Sequence, residues 1–391
     1  MRGSKAVFIA GFAMFSMFFG SGNLVFPLAI GAQTMDKAPW AIIGLTISGV
    51  LVPFLGLLGV ILYKGNRIEY FASIGKVPAF LLAFSMLALM GPFGVIPRCI
   101  LVSHGGVKLF APSVSLPVFS FVFCVLTLFL VWKHDRIVPI LGKVLTPWLL
   151  GGIGVLIVGG LLYGPAIPHS SESSGKAFLE GLWKGYQMMD LLAAFFFSAA
   201  TVAYIHEYLG KNEKQSELVK LSVKASLLGA GLLGLVYIGF ILLGAGFSDS
   251  LKSVEPSQYL VAVAQETLGY LAAPVASITI ILACLTTAAI LTMLFADFLR
   301  EDILNKKIGN PIALIITLVI SFFVSMIGFE ALANWIASVL EVAYPALIAL
   351  TIANIVKKLW QVDCSKWAFW IIFFGSLSLF ISKRFELFNF S

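Results

Sequence analysis

Met17-Phe-Phe-Gly-Ser-Gly-Asn-Leu-Val-Phe-Pro27 sets two glycines, a serine, an asparagine and a proline inside an otherwise apolar run from about 6 to 31. Glycine and proline are the weakest helix formers, so this stretch is a poor helix. The run is nonetheless long enough to cross a bilayer. Unwound backbone survives at that depth only where protein or a cavity surrounds it, since hydrocarbon offers a bare N–H or C=O no partner. Two readings follow: a break that lines a binding cavity, or a glycine-rich kink that serves as a packing face.

Composition makes the whole chain a membrane protein. Of 391 residues, 60% are hydrophobic and 12% charged, with a mean hydropathy of +1.00, far too apolar for a soluble protein of this length. Apolar runs lie near 6–31, 38–63, 77–98, 114–133, 137–162, 181–206, 221–246, 269–296, 310–328, 331–356 and 367–382, which predicts eleven transmembrane helices in one domain spanning 1–391. The N-terminal Met1-Arg-Gly-Ser-Lys leads into a stretch too long for a signal-peptide core and without a small-residue cleavage site, so the first span is expected to remain. With the N-terminus in the cytoplasm, eighteen of the 26 lysines and arginines fall inside, as the positive-inside rule favours. The net charge of +7 is scattered between apolar runs and forms no face for nucleic acid. Only the connections near 163–180 and 247–268 are long enough for small helices outside the membrane. No Ser/His, paired-Asp or His-Glu metal motif lies within the spans, so an enzyme is not expected. Cys99, Cys124, Cys284 and Cys364 have no metal-ligand spacing and read as small apolar fillers.

The sixth span, Tyr186-Gln-Met-Met-Asp-Leu-Leu-Ala-Ala-Phe-Phe-Phe-Ser-Ala-Ala-Thr201, mixes small residues, Ser198 and three phenylalanines. Interruptions at spans one and six suggest two inverted five-helix repeats, about 6–162 and 181–356, with an extra C-terminal helix at about 367–382. Amides freed around Ser21, Gly22 and Asn23 would suit a carboxylate at a half-helix N-terminus, and carbonyls freed at Ser16, Phe18 and Phe19 a cation or an ammonium group. Ala283-Cys-Leu-Thr-Thr287 in the eighth span puts two hydroxyls and a carbonyl together, hard oxygen ligands for a hard cation. The alternative is threonine bonding back to its own preceding turn. Phe195, Phe196 and Ile290 are apolar walls for an aliphatic side chain. Asp190 and Glu341 are ionisable residues within spans and so functional candidates. Arg98 and His104, near the outer end of the third span, read as snorkelling to the interface, with an outer gate as the other possibility. Pro92 and Pro97 are expected to bend that span.

Taken together, Phe18-Phe-Gly-Ser-Gly-Asn-Leu-Val-Phe-Pro27, Gly91-Pro-Phe-Gly-Val-Ile-Pro-Arg98, Gly185-Tyr-Gln-Met-Met-Asp-Leu-Leu-Ala-Ala194, Cys284-Leu-Thr-Thr-Ala288 and Ala296-Asp297 resemble the branched-chain amino acid:cation symporters over nearly the whole chain. That family is similar to the LeuT-fold group, which implies an all-α fold with a 5+5 inverted-repeat core and broken helices 1 and 6. The resemblance implies a sodium ion on the carbonyls of Ser16, Phe19 and Ala283 and the hydroxyls of Thr286 and Thr287. It places substrate against Phe18, Gly20, Ser21, Gly22 and Asn23 and against Ala194, Phe195, Phe196 and Ser198. Members of the family are usually drawn with twelve helices, whereas eleven are expected here, and the helix by which they differ would lie outside the ten-helix core. The expected function is sodium-coupled import of leucine, isoleucine and valine across the bacterial inner membrane, with lipid as surroundings. A proton-coupled permease, in which Asp190 or Glu341 replaces the ion, is the alternative within transport. A channel or a non-transporting sensor is the alternative outside it.

Overall fold

The computed structural model describes residues 2–108, 111–132, 141–209, 215–269 and 272–389. These are helical almost throughout, with no strand among them, because a helix satisfies its own backbone groups where lipid supplies no partner. In chain order, α1 (Arg2–Phe18) and α2 (Ser21–Thr34) make the first span, and α3 (Ala38–Leu45) and α4 (Val52–Leu62) the second. A short α5 (Arg67–Ala72) leads to α6 (Lys76–Met90) and α7 (Val95–Lys108), then α8 (Leu116–Val131) and α9 (Thr146–Tyr163). The second half begins with α10 (Ser174–Gln187) and α11 (Asp190–Leu209), followed by α12 (Gln215–Gly246). Two small helices, α13 (Ser248–Leu251) and α14 (Tyr259–Leu268), fill the connection before α15 (Ala272–Phe298). The chain closes with α16 (Asn310–Ser325), α17 (Phe329–Trp360) and α18 (Ser365–Asn389).

Eight of the described helical stretches are long and apolar enough to cross a membrane, and three shorter apolar helices accompany them. The stretch Ser21–Leu62 holds parts of two spans, since a tight turn at Met35–Lys37 divides it. Each of the eleven runs read from the sequence thereby holds helix among the described residues. Residues 133–140, where the fourth predicted span ends and the fifth begins, lie outside the described residues, as do Lys211 and Lys214.

Among the described residues, three spans are interrupted. Gly20 is extended (φ −120°, ψ −155°) between α1 and α2. Between α10 and α11 the chain turns at Met188 and Met189, and Met189 takes a left-handed φ of 65°, a strained conformation for a side chain of that size. In the third span the prolines do more than bend the helix: α6 stops at Met90 and α7 restarts at Val95. Gly91-Pro-Phe-Gly94 forms the turn, with the Phe93 N–H on Ala88 O (3.0 Å) and the Ile96 N–H on Gly91 O (3.3 Å).

Glycine seams hold the surrounding helices at backbone contact. Gly31 of α2 lies against the Ile241 carbonyl of α12, and Gly244 of α12 against the Leu28 carbonyl of α2. The same reciprocal arrangement joins α3 and α10, through Gly44 on Phe178 O and Gly181 on Ala41 O. A methyl group at any of these four positions would overlap main chain, and such small-residue contacts are how membrane helices approach closely. Outside the bundle, Asp36 fastens the loop before α10, accepting from Lys37 Nζ (2.8 Å), His169 Nδ1 (2.8 Å) and the Ser170 N–H (2.9 Å). Three cysteines are buried fillers as expected, but Cys364 is exposed between α17 and α18.

Candidate functional site

The break between α1 and α2 is buried inside the protein. Ser16, Phe19, Ser21 and Asn23 are each at most 2% exposed. Gly20 has no side chain to cap α2, and the Asn23 carboxamide reaches back to the Gly20 N–H at 3.4 Å. No side chain caps the first turn of α2, so the positive end of this half-helix faces the gap.

Across the gap stands α15. The Thr286 Oγ1 lies 2.8 Å from Ala283 O and 3.2 Å from Ser16 O, so it bonds back along its own helix and also reaches the first span. The Thr287 Oγ1 lies 3.3 Å from Ser16 O and 3.1 Å from Met17 O. Five oxygens therefore converge from two spans, three carbonyls and two hydroxyls, with two hydroxyl hydrogens to share among four contacts. A surplus of neutral oxygen lone pairs over hydrogens is what a hard monovalent cation requires. The donor set fits a sodium ion, with Met17 joining Ser16, Ala283, Thr286 and Thr287. Phe19, whose carbonyl is also expected among the ligands, follows the end of α1 with its N–H on Phe15 O (2.8 Å) and its ring stacked on Phe15 at 5.0 Å. Gly20 closes directly on Thr287, leaving no room there for a larger residue.

The second break meets the first through two buried charges. Asp190 opens α11 and is 2% exposed. Its carboxylate accepts from Asn23 Nδ2 (3.1 and 2.9 Å) and from the Tyr237 hydroxyl (2.7 Å), and Asn23 also contacts that hydroxyl. The start of α11 is held from the tenth span, where the Tyr344 hydroxyl accepts from the Leu191 N–H (3.0 Å). Arg98, expected to snorkel outward, is instead 1% exposed. Its Nη1 donates to the Gln187 carbonyl (3.2 Å) at the end of α10, and its guanidinium lies 5.1 Å from the Phe26 ring centroid. The restart of α7 after the Gly91–Gly94 turn carries Arg98 to this place.

The remaining expected residues divide. Gly22 sits beneath the Arg98 guanidinium and beside Met188, and Ser21 faces Cys99. Phe18 meets Phe197 edge to face at 5.1 Å, and Ile290 is buried one turn beyond the threonines. Phe195, Phe196, Ala194 and Ser198 are not at the break, because the helix parts at Met188–Met189, earlier in the span than the phenylalanines suggested. Phe195 packs on Tyr70 and Phe71 (5.5 and 5.3 Å), Phe196 lies 5.5 Å from the Arg67 guanidinium, and Ala194 faces Gly56. Ser198 bonds back to Phe195 O at 3.3 Å. Glu341 pairs with Lys383 at 3.1 Å on a partly exposed face, and His104 contacts Val114 O at 2.9 Å. Residues the sequence reading missed are Tyr237, Tyr344 and Met17. A lone tyrosine in each of two apolar spans was the available signal.

Similar proteins agree with this architecture. The fold resembles the nucleobase-cation-symport-1 family transporter Mhp1 in a closed conformation (TM-score 0.63, 14% identity, 90% of this chain and 78% of that one). It also resembles MhsT in complex with L-phenylalanine (TM-score 0.62, 16% identity, 95% and 98%). Both are LeuT-fold transporters. Among curated proteins, the branched-chain amino acid permease BrnQ of Bacillus subtilis (strain 168) is 30% identical over 388 residues, 96% of this chain and 86% of the relative. The BrnQ permease of Corynebacterium glutamicum is 28% identical over 361 residues, 91% and 82%. The family described as branched-chain amino acid transport protein matches residues 3–388. A multi-span LeuT-fold membrane protein, this chain belongs to the branched-chain amino acid transport protein family.

Proposed function

We propose that the protein is a sodium-coupled symporter that imports leucine, isoleucine and valine across the bacterial inner membrane by alternating access, with its N-terminus in the cytoplasm. The observation that carries the coupling is the convergence of the Thr286 and Thr287 hydroxyls on the Ser16 and Met17 carbonyls. A cation held there ties α1, in the repeat of about 6–162, to α15, in the repeat of about 181–356. Coupling requires that the ion bind one state better than the other, since equal affinity would shift nothing. A site built from two spans meets that requirement, because parting them dismantles it. The substrate reading draws on the family and on the printed names of the relatives, both of which speak of branched-chain amino acids.

The deciding experiment is radiolabelled leucine uptake into proteoliposomes under an imposed sodium gradient, competed by isoleucine and valine. Thr286→Ala with Thr287→Ala should abolish sodium stimulation; uptake by that variant that stays sodium-dependent rejects the site. A second reading, proton coupling, rests on the buried Asp190 bridging the two breaks. Accumulation driven by a proton gradient without sodium, and lost in Asp190→Asn, would establish it instead.

A further inference from the structure

We propose that Arg98 recognises the carboxylate of the transported amino acid and so sets the requirement for that group; the inference rests on the amino-acid reading above. Arg98 is a guanidinium 1% exposed, with only Nη1 committed, to Gln187 O at 3.2 Å. Its Nε and Nη2 have no hydrogen-bond partner among the described residues. A buried cation with free donors is costly unless an anion completes it. The nearby buried carboxylate does not do so by hydrogen bonding, since Asp190 gives its oxygens to Asn23 and Tyr237.

One of these donors, Nη2, faces the uncapped first turn of α2 at Gly22. A Cβ at Gly22 would stand 2.5 Å from Nη2, so the missing side chain is what admits the guanidinium. Two adjacent N–H groups in a fixed plane match the two oxygens of a carboxylate, and the positive end of α2 adds to the same preference. The rings of Phe26 and Phe329, 5.1 and 6.0 Å from the guanidinium carbon, flank the fork.

The test is competition binding on the full-length protein in proteoliposomes, with L-leucine and L-leucinamide as probes. Leucinamide keeps the side chain and the amino group and lacks the anion. The wild type should prefer leucine. Arg98→Gln should weaken leucine on the order of 10- to 100-fold, the value of a buried charge-assisted hydrogen bond, and leave leucinamide within about threefold, so the preference collapses. Arg98→Lys, charged but without the fork, should fall between. Gly22→Ala, which displaces Nη2 while retaining the charge, should reproduce the collapse, and it decides the matter if Arg98→Gln does not fold. Equal losses for both probes in these variants would make Arg98 a structural brace and overturn the proposal. A wild type that binds neither probe ends the amino-acid reading itself, an outcome visible before any variant is made.

Discussion

Gly20→Ala is the sharpest probe of the cation site, because it replaces neither a charged residue nor a proposed sodium ligand and acts only by pressing on Thr287. An ideal Cβ at Gly20 would lie 2.9 Å from Thr287 Cγ2, 3.0 Å from its Oγ1 and 3.1 Å from its Cβ. Ordinary contact begins near 3.4 Å, so Thr287 must retreat by about 0.5 Å. The Gly20 backbone, at φ −120°, is open to alanine, so the cost is steric alone. A retreat of about 0.5 Å takes the Thr287 hydroxyl from 3.1 and 3.3 Å to beyond 3.5 Å from the Met17 and Ser16 carbonyls. Drawing one of the five oxygens out of the set removes an ion contact comparable to a charge-assisted hydrogen bond, about 1.5–3 kcal/mol, or roughly 10- to 150-fold in an equilibrium constant. The sodium concentration that half-saturates leucine uptake should rise by that factor. Thr287→Ser, which removes the methyl group nearest the new Cβ and keeps the hydroxyl, should recover part of the loss when combined with Gly20→Ala. The assay is uptake against sodium concentration for the two single variants and the double. A Gly20→Ala protein with the wild-type sodium midpoint would refute the reasoning.

Asn23→Leu removes two donations to the buried Asp190 carboxylate and should destabilise the protein by about 3 kcal/mol or more; thermal unfolding in detergent checks this, and an unchanged midpoint would dissociate the two breaks. Glu341→Gln breaks a partly exposed pair with Lys383 and should leave leucine uptake within about twofold, as exposed pairs contribute little; abolished uptake would return Glu341 to the candidate coupling groups. Asp36 is held below the usual carboxylate range chiefly by the Lys37 ammonium, then by the Ser170 amide and His169. A lowered folded value means that its stabilisation is present above the unfolded value, about 4, and is lost as pH falls through the folded one. Protease protection of the loop at 164–173 should accordingly hold between about pH 5 and 8 and fail only well below pH 4, and Asp36→Asn should weaken it at neutral pH. Gly244→Ala, whose methyl would meet the Leu28 carbonyl, should cost about 3 kcal/mol, since main chain cannot step aside; folding yield and thermal midpoint report it.

How far each feature could be read in advance depended on where its cause lies. Gly20-Ser-Gly-Asn23 announces a break because the residues themselves are poor helix formers. Met188–Met189 does not, as methionine is a good helix former, and the left-handed turn there is fastened by Arg98 on Gln187 O and by Tyr344 on the Leu191 N–H. The phenylalanines at 195 and 196 drew the expected site too far along the span for the same reason. Arg98 was misread because its burial depends on a restart of the third span that prolines only hint at. The threonine pair was legible as a pattern and ambiguous as chemistry. Only the distance to Ser16 and Met17 distinguished a cross-span contact from a local one.

The reciprocal glycine seams bear on how such a bundle can move. With main chain already touching main chain, α2 cannot slide along α12, nor α3 along α10, without steric collision. Each pair then travels as a single beam, with its rigidity set by two hydrogen atoms where other residues carry carbon. On the proposed function, rocking between outward and inward shapes would be taken up at the joints where those beams end, at Gly20 and at Met188–Met189, with Asn23 on Asp190 past the first and Gln187 on Arg98 before the second. If substrate is held as proposed, leverage and recognition share one address: whatever is grasped at the pivots would be felt along the full length of both beams.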